Sequence, residues 1–124
     1  MNDLKGSKTL TNLMAAFAGE SQARNRYTYY SSIAKKEGYV EISRIFEETA
    51  NHEKEHAKRL FKFLKGSGVD VEITGSFPTT MSSTLENLKS SIVGENHEWE
   101  KMYPEFSKIA SEEGFSEISV VLKN

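Results

Sequence analysis

The stretch IAKKEGYVEIS at residues 33–43 returns as IASEEGFSEIS at residues 109–119, an offset of 76. Each copy places a glycine between two amphipathic segments, which is typical of two helices joined by a tight turn. A second match, AGE at residues 18–20 with VGE at residues 93–95, has an offset of 75. The sequence therefore predicts two related helix hairpins that pack about a pseudo-two-fold axis.

Apolar residues recur at helical spacing along four segments, which predicts an all-α bundle of four helices. The first two helices are expected at residues 9–37 and 40–65. The third begins at Ser83, where Glu86 completes the spacing of a capping box, and the fourth begins after the second glycine turn. Residues 66–82 form the one long connection, and their length suffices to cross a helix of about 39 Å.

The predicted third helix has an irregularity near its middle. Its apolar stripe starts with Leu85 and Ile92, and the stripe of the second helix includes Ile45, so we expect these residues to face the core. Further along the third helix the offset between the repeats changes from 75 to 76, close to Pro104. One additional residue within a helix predicts a π-bulge, a feature common beside functional sites.

The repeat also predicts what the chain lacks. Adding the offset of 76 to Glu53 and His56 places their counterparts near positions 129 and 132, beyond Asn124. The last residues, Val121 and Leu122 among them, are apolar and have no glycine cap after them. We therefore expect residues 1–124 to form a single domain whose fourth helix is incomplete.

Composition excludes several classes of function. A net charge of -2 gives a nucleic-acid partner no electrostatic support. The absence of cysteine excludes disulfides, cysteine-ligated zinc and iron–sulfur clusters, so any metal must be held by oxygen and imidazole. The sequence has neither an apolar run of membrane-spanning length nor a signal-peptide pattern, and we expect a cytoplasmic protein without membrane contact.

Several acidic residues lie where apolar residues are expected. Glu20, Glu53 and Glu95 fall on the apolar stripes of their helices, and a carboxylate facing a core is costly unless it is paired or bound to a cation. Glu53 and His56 form Glu-x-x-His, whose spacing places both side chains on one helix face. Glu98 adds a carboxylate on the side of Glu95, although a solvated acid beside Glu100 is the alternative interpretation. Together they predict a carboxylate-bridged di-metal site, as found in four-helix bundles.

Oxygen ligands with one imidazole suit iron or manganese. Two such ions can each change oxidation state by one electron and so deliver two electrons to dioxygen or peroxide. Tyr27 and Tyr103 correspond at the offset of 76 and lie on the same stripes. Each could donate a hydrogen bond to a ligand carboxylate, and plain core packing is an equally good interpretation.

A zinc peptidase is the rival interpretation, because HEKEH at residues 52–56 fits the His-Glu-x-x-His pattern. His52 and His56 would then bind zinc, with Glu53 as general base. This interpretation leaves Glu20 and the repeat unexplained, and an all-helical chain offers no edge strand to align a peptide. We expect His52, like His97, to be exposed.

Three segments, AFAGESQARNRYTYY, EETANHEKEHAKRLFKFL and VGENHEWEKMYPEFSKIASEEGF, resemble the di-iron domain of the rubrerythrins in order and along essentially the whole chain. The resemblance implies a ferritin-like four-helix bundle with one long crossover connection. It also implies a non-haem di-iron centre that reduces hydrogen peroxide to water in oxidative-stress protection. Manganese or zinc could replace the two iron ions. By this resemblance the iron ligands are Glu20, Glu53, His56, Glu95 and Glu98.

The resemblance further implies that Tyr27 and Tyr103 lie beside the ligands, and that one ligand position exchanges between Glu95 and His56. Two family features are missing from the chain: the second Glu-x-x-His and the cysteine-rich rubredoxin-like module. Electrons would then come from an external donor such as a rubredoxin-like protein, or from a lost segment.

Two chains that each contribute the first hairpin would complete the ligand set, so we expect a homo-oligomer, with domain swapping as one form. A cleaved fragment completing the fourth helix is the alternative. Iron binding or storage without turnover, or a catalytically incomplete bundle, stays open as a second class of function.

Overall fold

The fold consists of helices and the segments between them. A computed structural model describes residues 3–123, and no strand occurs among them. The α-helices are α1 (Lys8–Lys36), α2 (Val40–Lys65), α3 (Thr84–His97), α4 (Tyr103–Glu112) and α5 (Ser116–Lys123). A π-helical turn, Glu98–Met102, joins α3 to α4 without a break. The chain therefore forms the four predicted bundle helices, and the predicted helix boundaries agree to within a residue or so.

Glycine turns reverse the chain within each hairpin. Gly38 and Gly114 have φ values of +89° and +87°, in the left-handed region that favours glycine. The amide that follows each glycine donates to a carbonyl five residues earlier, at 2.8 Å in both hairpins. This is the Schellman arrangement that ends a helix, and its occurrence at both positions confirms the prediction of two related hairpins.

A pair of serines joins the two arms of each hairpin. The hydroxyl groups of Ser31 and Ser43 each donate to the backbone carbonyl of the other residue at 2.8 Å. Ser107 and Ser119 make the same two hydrogen bonds, also at 2.8 Å. Serine is small, and its hydroxyl bonds directly to the backbone of the other helix. The two helices of each hairpin can therefore lie closer together at this point than larger side chains would allow.

Glutamates at the hairpin turns connect one hairpin to the other. The Glu37 carboxylate accepts hydrogen bonds from the backbone amide (2.8 Å) and hydroxyl of Thr84 at the start of α3. Glu113 accepts the equivalent bonds from Thr9 in α1, with the amide at 2.7 Å. Each turn thus satisfies amide donors at a helix N-terminus of the other hairpin, where a negative charge is favourable.

Two apolar clusters fill the interior. One contains residues from α1, α2, α4 and α5, chiefly Leu10, Leu13, Ala16, Leu60, Leu64, Ala110, Ile118 and Leu122. The other lies further along α1 and α2 and is largely aromatic, with Ala23, Tyr27, Tyr30, Phe46 and Ala50. Along both helices the acidic residues Glu20 and Glu53 fall between these clusters and are themselves buried.

The π-helical turn occurs where the change of offset predicts it. The amide of Tyr103 donates to the carbonyl of Glu98, five residues earlier, directly before Pro104. The turn accommodates the additional residue of the second repeat. Residues before and after the turn therefore lie on the same helix faces as their counterparts in the first repeat. The prediction of a π-bulge is therefore confirmed.

Some predicted core positions are exposed. Ile45 in α2 is 50% exposed, and Leu85 and Ile92 in α3 are 60% and 58% exposed, so the prediction of burial was wrong for them. Helical periodicity shows which residues of one helix share a face. Among residues 3–123, however, no other element covers the faces of α2 and α3 on which these three residues lie. The Ser83 cap on α3 is present as predicted, with the Glu86 amide 3.3 Å from its hydroxyl. None of the described helices combines the length and apolar character needed to cross a bilayer.

The contacts between hairpin turns and helix starts lead to a stability prediction. Thr84→Val and Thr9→Val each remove a buried hydroxyl that donates to a carboxylate of the other hairpin. We expect each to lower the free energy of unfolding by about 1 to 2 kcal/mol, measured by urea denaturation. Thr28→Val is the matched control, because its exposed hydroxyl bonds only to Arg24 within α1. An equal cost for the control would contradict the proposed role of these contacts.

Candidate metal centre

All five predicted ligands line one pocket between the hairpins. Glu20 comes from α1, Glu53 and His56 from α2, Glu95 from α3 and Glu98 from the π-helical turn. The pocket has a volume of about 60 Å³, enough for a few water-sized groups.

Glu20, Glu53 and His56 form the tightest group. One potential ligand atom from each lies within 4.8 Å of the others, and no other such group of three occurs among residues 3–123. His56 Nδ1 is 3.6 Å from Glu20 Oε2 and 3.8 Å from Glu53 Oε1. Glu20 and Glu53 are only 4% and 7% exposed, whereas the His56 side chain is 45% exposed. The group thus has a buried acidic side and an open imidazole side.

Glu95 and Glu98 lie in the same pocket but outside this group of three. The Glu95 carboxylate is held by two donors: the Tyr27 hydroxyl is 2.8 Å from Oε1, and the Trp99 indole Nε1 is 3.1 Å from Oε2. Glu98 is half-buried beside it. The structure therefore brings the five predicted residues into one pocket. Three of them form a close group, and Glu95 and Glu98 lie beside that group.

The two tyrosines hold carboxylates across the hairpins. Tyr27 of the first hairpin donates to Glu95 of the second, and Tyr103 of the second donates to Glu20 of the first. Burial raises the pKa of both hydroxyls well above the usual range, and the neighbouring carboxylates raise it further. Both tyrosines therefore remain neutral donors at any ordinary pH. Hydrogen bonding and core packing were both open for these tyrosines; both hydrogen bonds are present, and Tyr27 also packs in the aromatic cluster.

Crowding raises the pKa of the carboxyl groups. Burial, followed by the nearby Glu20, raises the pKa of Glu53 far above its usual range. Burial and then Glu20 and Glu95 raise the pKa of Glu98 to about 8. Neither Glu20 nor Glu53 is ion-paired to lysine or arginine in the part of the chain that the structure describes; His56 is their close basic neighbour.

These residues fit a metal ion. Glu20 Oε2 is buried without a hydrogen-bond partner, a costly state that a cation would relieve. Carboxylate oxygens with one imidazole are the donor set that iron and manganese accept.

The zinc-peptidase pattern does not converge in the structure. His52 is exposed on α2 and lies outside the group that contains Glu53 and His56. His97 is exposed as well, as predicted. Trp99, by contrast, touches the site and was missed, although it lies four residues after Glu95 and thus on the same helix face.

Replacing one buried carboxyl group tests how the crowded carboxyl groups of the pocket affect the stability of the metal-free protein. The folded protein keeps a proton on Glu53 between its ordinary pKa of 4.5 and its raised folded-state pKa, whereas the unfolded chain loses it. Stability of the metal-free protein should therefore fall as the pH rises through this window. We expect Glu53→Gln to stabilise the metal-free protein by on the order of 1 to 3 kcal/mol at pH 7, and less at pH 5.

Urea denaturation with a chelator present, repeated from pH 5 to pH 8, measures this gain. Glu55→Gln, at an exposed neighbouring position on α2, is the control and should show no pH-dependent gain. A Glu53→Gln protein that loses stability with rising pH as steeply as the unmodified protein would contradict the expectation.

Removing one tyrosine hydroxyl tests whether its hydrogen bond to a pocket carboxylate contributes to metal binding. Tyr103→Phe leaves Glu20 without its donor, and we expect Co²⁺ affinity to fall about 10- to 100-fold in equilibrium dialysis. Tyr29→Phe, an exposed tyrosine in α1, serves as control and should bind Co²⁺ normally. Unchanged affinity in the Tyr103→Phe protein would show that the bond to Glu20 does not support the site.

Comparison with known proteins identifies the relatives of this chain. The family model for rubrerythrin matches residues 11–124. Rubrerythrin-1 of Clostridium acetobutylicum is 58% identical over 127 residues, covering 99% of this chain and 65% of that protein. Rubrerythrin of Nitratidesulfovibrio vulgaris is 57% identical over 122 residues, covering 98% of this chain and 63% of that protein. The chain thus spans somewhat less than two thirds of the length of these curated relatives.

Solved structures agree with the sequence matches. Nigerythrin in a mixed-valence state is 35% identical, with a TM-score of 0.81 over 98% of this chain and 62% of that chain. Nigerythrin in its fully reduced, all-ferrous state is 36% identical, with the same TM-score over 98% of this chain and 63% of that chain. The four helices thus have the ferritin-like arrangement expected from the sequence, and the chain belongs to the rubrerythrin family.

Proposed function

We propose that this chain is the di-iron part of an oxidoreductase that reduces hydrogen peroxide to water and protects against oxidative stress. In this proposal two iron ions are held by Glu20, Glu53, His56, Glu95 and Glu98. The observation that carries the proposal is the convergence of buried Glu20 and Glu53 on His56, with no lysine or arginine ion-paired to either carboxylate among residues 3–123. Membership of the rubrerythrin family supports iron as the metal.

Bound iron would supply the two electrons that hydrogen peroxide needs, together with two protons, to become two molecules of water. The protein's own residues prepare the site for this chemistry. Tyr27 and Tyr103 stay neutral and orient Glu95 and Glu20 by hydrogen bonds. Protons held on the carboxyl groups of the metal-free pocket leave when a cation enters, so metal binding should release protons.

The open side of the pocket suits a small substrate. His56 is exposed at this edge, so a molecule of peroxide size can approach from solvent without opening the core. The pocket has a volume of about 60 Å³ and opens to solvent at this edge. Residues 1–124 contain no cysteine that could hold an electron-transfer iron, so we propose that electrons reach the pocket from a rubredoxin-like donor outside these residues.

Oxidation of the iron-loaded protein tests the proposal. The protein is loaded anaerobically with Fe²⁺, mixed with hydrogen peroxide and followed by stopped-flow absorbance. We expect oxidation faster than that of free Fe²⁺ and a consumption of one peroxide for two Fe²⁺. Glu98→Gln should weaken iron binding and slow the reaction, whereas Glu100→Gln, at an exposed position of the same π-helical turn, should change neither.

If the protein binds iron but peroxide oxidises the bound iron no faster than free Fe²⁺, the proposal of a peroxide reductase is overturned. That result would favour the second candidate, an iron-binding or iron-storing bundle, which the same carboxylate group supports. A preference for one Zn²⁺ per chain, lost on replacing His52, would instead support the peptidase interpretation.

We also propose that the chain works as a homo-oligomer in which a second copy packs against the exposed apolar residues of α2 and α3, beside the pocket. Exposed Ile45, Leu85 and Ile92 lie on the uncovered side of α2 and α3, and exposed His56 lies at the edge of the pocket. A second Glu-x-x-His from another copy, by domain swapping for example, would complete the symmetric ligand set. Sedimentation combined with metal analysis tests this, and a monomer carrying two iron ions would refute it.

A further inference from the structure

Trp99 is the chain's single tryptophan and makes one polar contact with the site. Its indole Nε1–H donates to Glu95 Oε2 at 3.1 Å, and its ring lies 6.3 Å from that of Tyr103, centroid to centroid. The side chain lies on the π-helical turn at the rim of the pocket and is about half exposed. An exposed indole usually has water for its N–H, so a bond to a pocket carboxylate points to a specific role.

The two halves of the pseudo-symmetric site differ at this position. The offset of 75 that aligns Glu20 with Glu95 places Arg24 opposite Trp99. Glu20 receives the Tyr103 hydroxyl on one oxygen, and its other oxygen, Oε2, is buried without a hydrogen-bond partner. Glu95 has a protein donor on each oxygen. The second donor, from Trp99, is thus particular to the second hairpin.

Burial explains why Glu95 needs this second donor. Glu20 is buried between the two apolar clusters and is only 4% exposed. Glu95 lines the pocket between the hairpins and is only half-buried there. A carboxylate in that position can rotate unless both oxygens are held. Each oxygen has two lone-pair sites, so both remain able to bind a metal while accepting a hydrogen bond.

We propose that Trp99 is the positioning residue for Glu95: with Tyr27 it fixes the plane of the carboxylate so that its free lone pairs are directed at the metal site. The inference rests on the proposed function, because it assumes that Glu95 is a ligand. Outer donors of this kind orient metal ligands and commonly contribute about 10- to 100-fold to metal affinity.

Co²⁺ binding by variants of the full chain tests this role without any measurement of activity. Trp99→Phe keeps an aromatic ring beside Tyr103 and removes the N–H donor. We expect it to bind Co²⁺ about 10- to 100-fold more weakly in equilibrium dialysis, with an unchanged far-ultraviolet circular dichroism spectrum. Trp99→Leu, which also lacks the donor, should lose affinity to the same degree. Tyr29→Phe, at another half-exposed aromatic position, should bind Co²⁺ normally.

A double-variant cycle separates positioning from a general structural effect. If Trp99 acts through Glu95, Trp99→Phe should lower affinity in the unmodified protein and have no further effect in a Glu95→Ala protein. An equal loss in both backgrounds, or no loss in either, would overturn the proposal. An unmodified protein that binds no Co²⁺, Mn²⁺ or Fe²⁺ would overturn the proposed function and this inference together. If the unmodified protein and the Trp99→Phe protein both bind metal normally, the proposed role of Trp99 is overturned and the proposed function is not.

Discussion

The structure depends on two buried carboxylates that interrupt its apolar core. Glu20 and Glu53 lie between the two apolar clusters, where each ionised group costs free energy unless a cation or a donor is present. Tyr103 offsets part of this cost with a hydrogen bond, and the raised pKa of Glu53 offsets another part by retaining a proton. The residual cost favours cation binding, so the same feature that lowers the stability of the metal-free protein would give the pocket affinity for a cation.

Much of the fold follows from local sequence signals. The glycine turns at Gly38 and Gly114 and the change of offset near Pro104 were sufficient to predict both hairpins and the π-helical turn. Periodicity failed for Leu85 because it shows which residues share a face, not whether another element covers that face. The contact between Glu37 and Thr84 was also missed, since a turn carboxylate whose partner is 47 residues away carries no local pattern.

The pocket residues were predictable because acidic side chains on apolar stripes are unusual. That pattern selected Glu20, Glu53 and His56, whose potential ligand atoms lie within 4.8 Å of one another, and the repeat pointed to the two tyrosines that contact pocket carboxylates. It could not distinguish Glu95, whose two oxygens are both held by donors, from its counterpart Glu20. Side-chain rotamers decide that difference, and sequence spacing does not determine them.

The paired contacts between the hairpins have the form of an isologous interface, in which each half presents the same groups to the other. Glu37 meets Thr84 as Glu113 meets Thr9, and the tyrosine–carboxylate bonds are exchanged in the same way. The bundle is in this sense a dimer of one hairpin whose halves are covalently joined through residues 66–82. Because the two equivalent halves are joined in one chain, each can differ from the other in sequence, so the two sides of a pseudo-symmetric pocket can have different ligand geometries and different affinities for a metal.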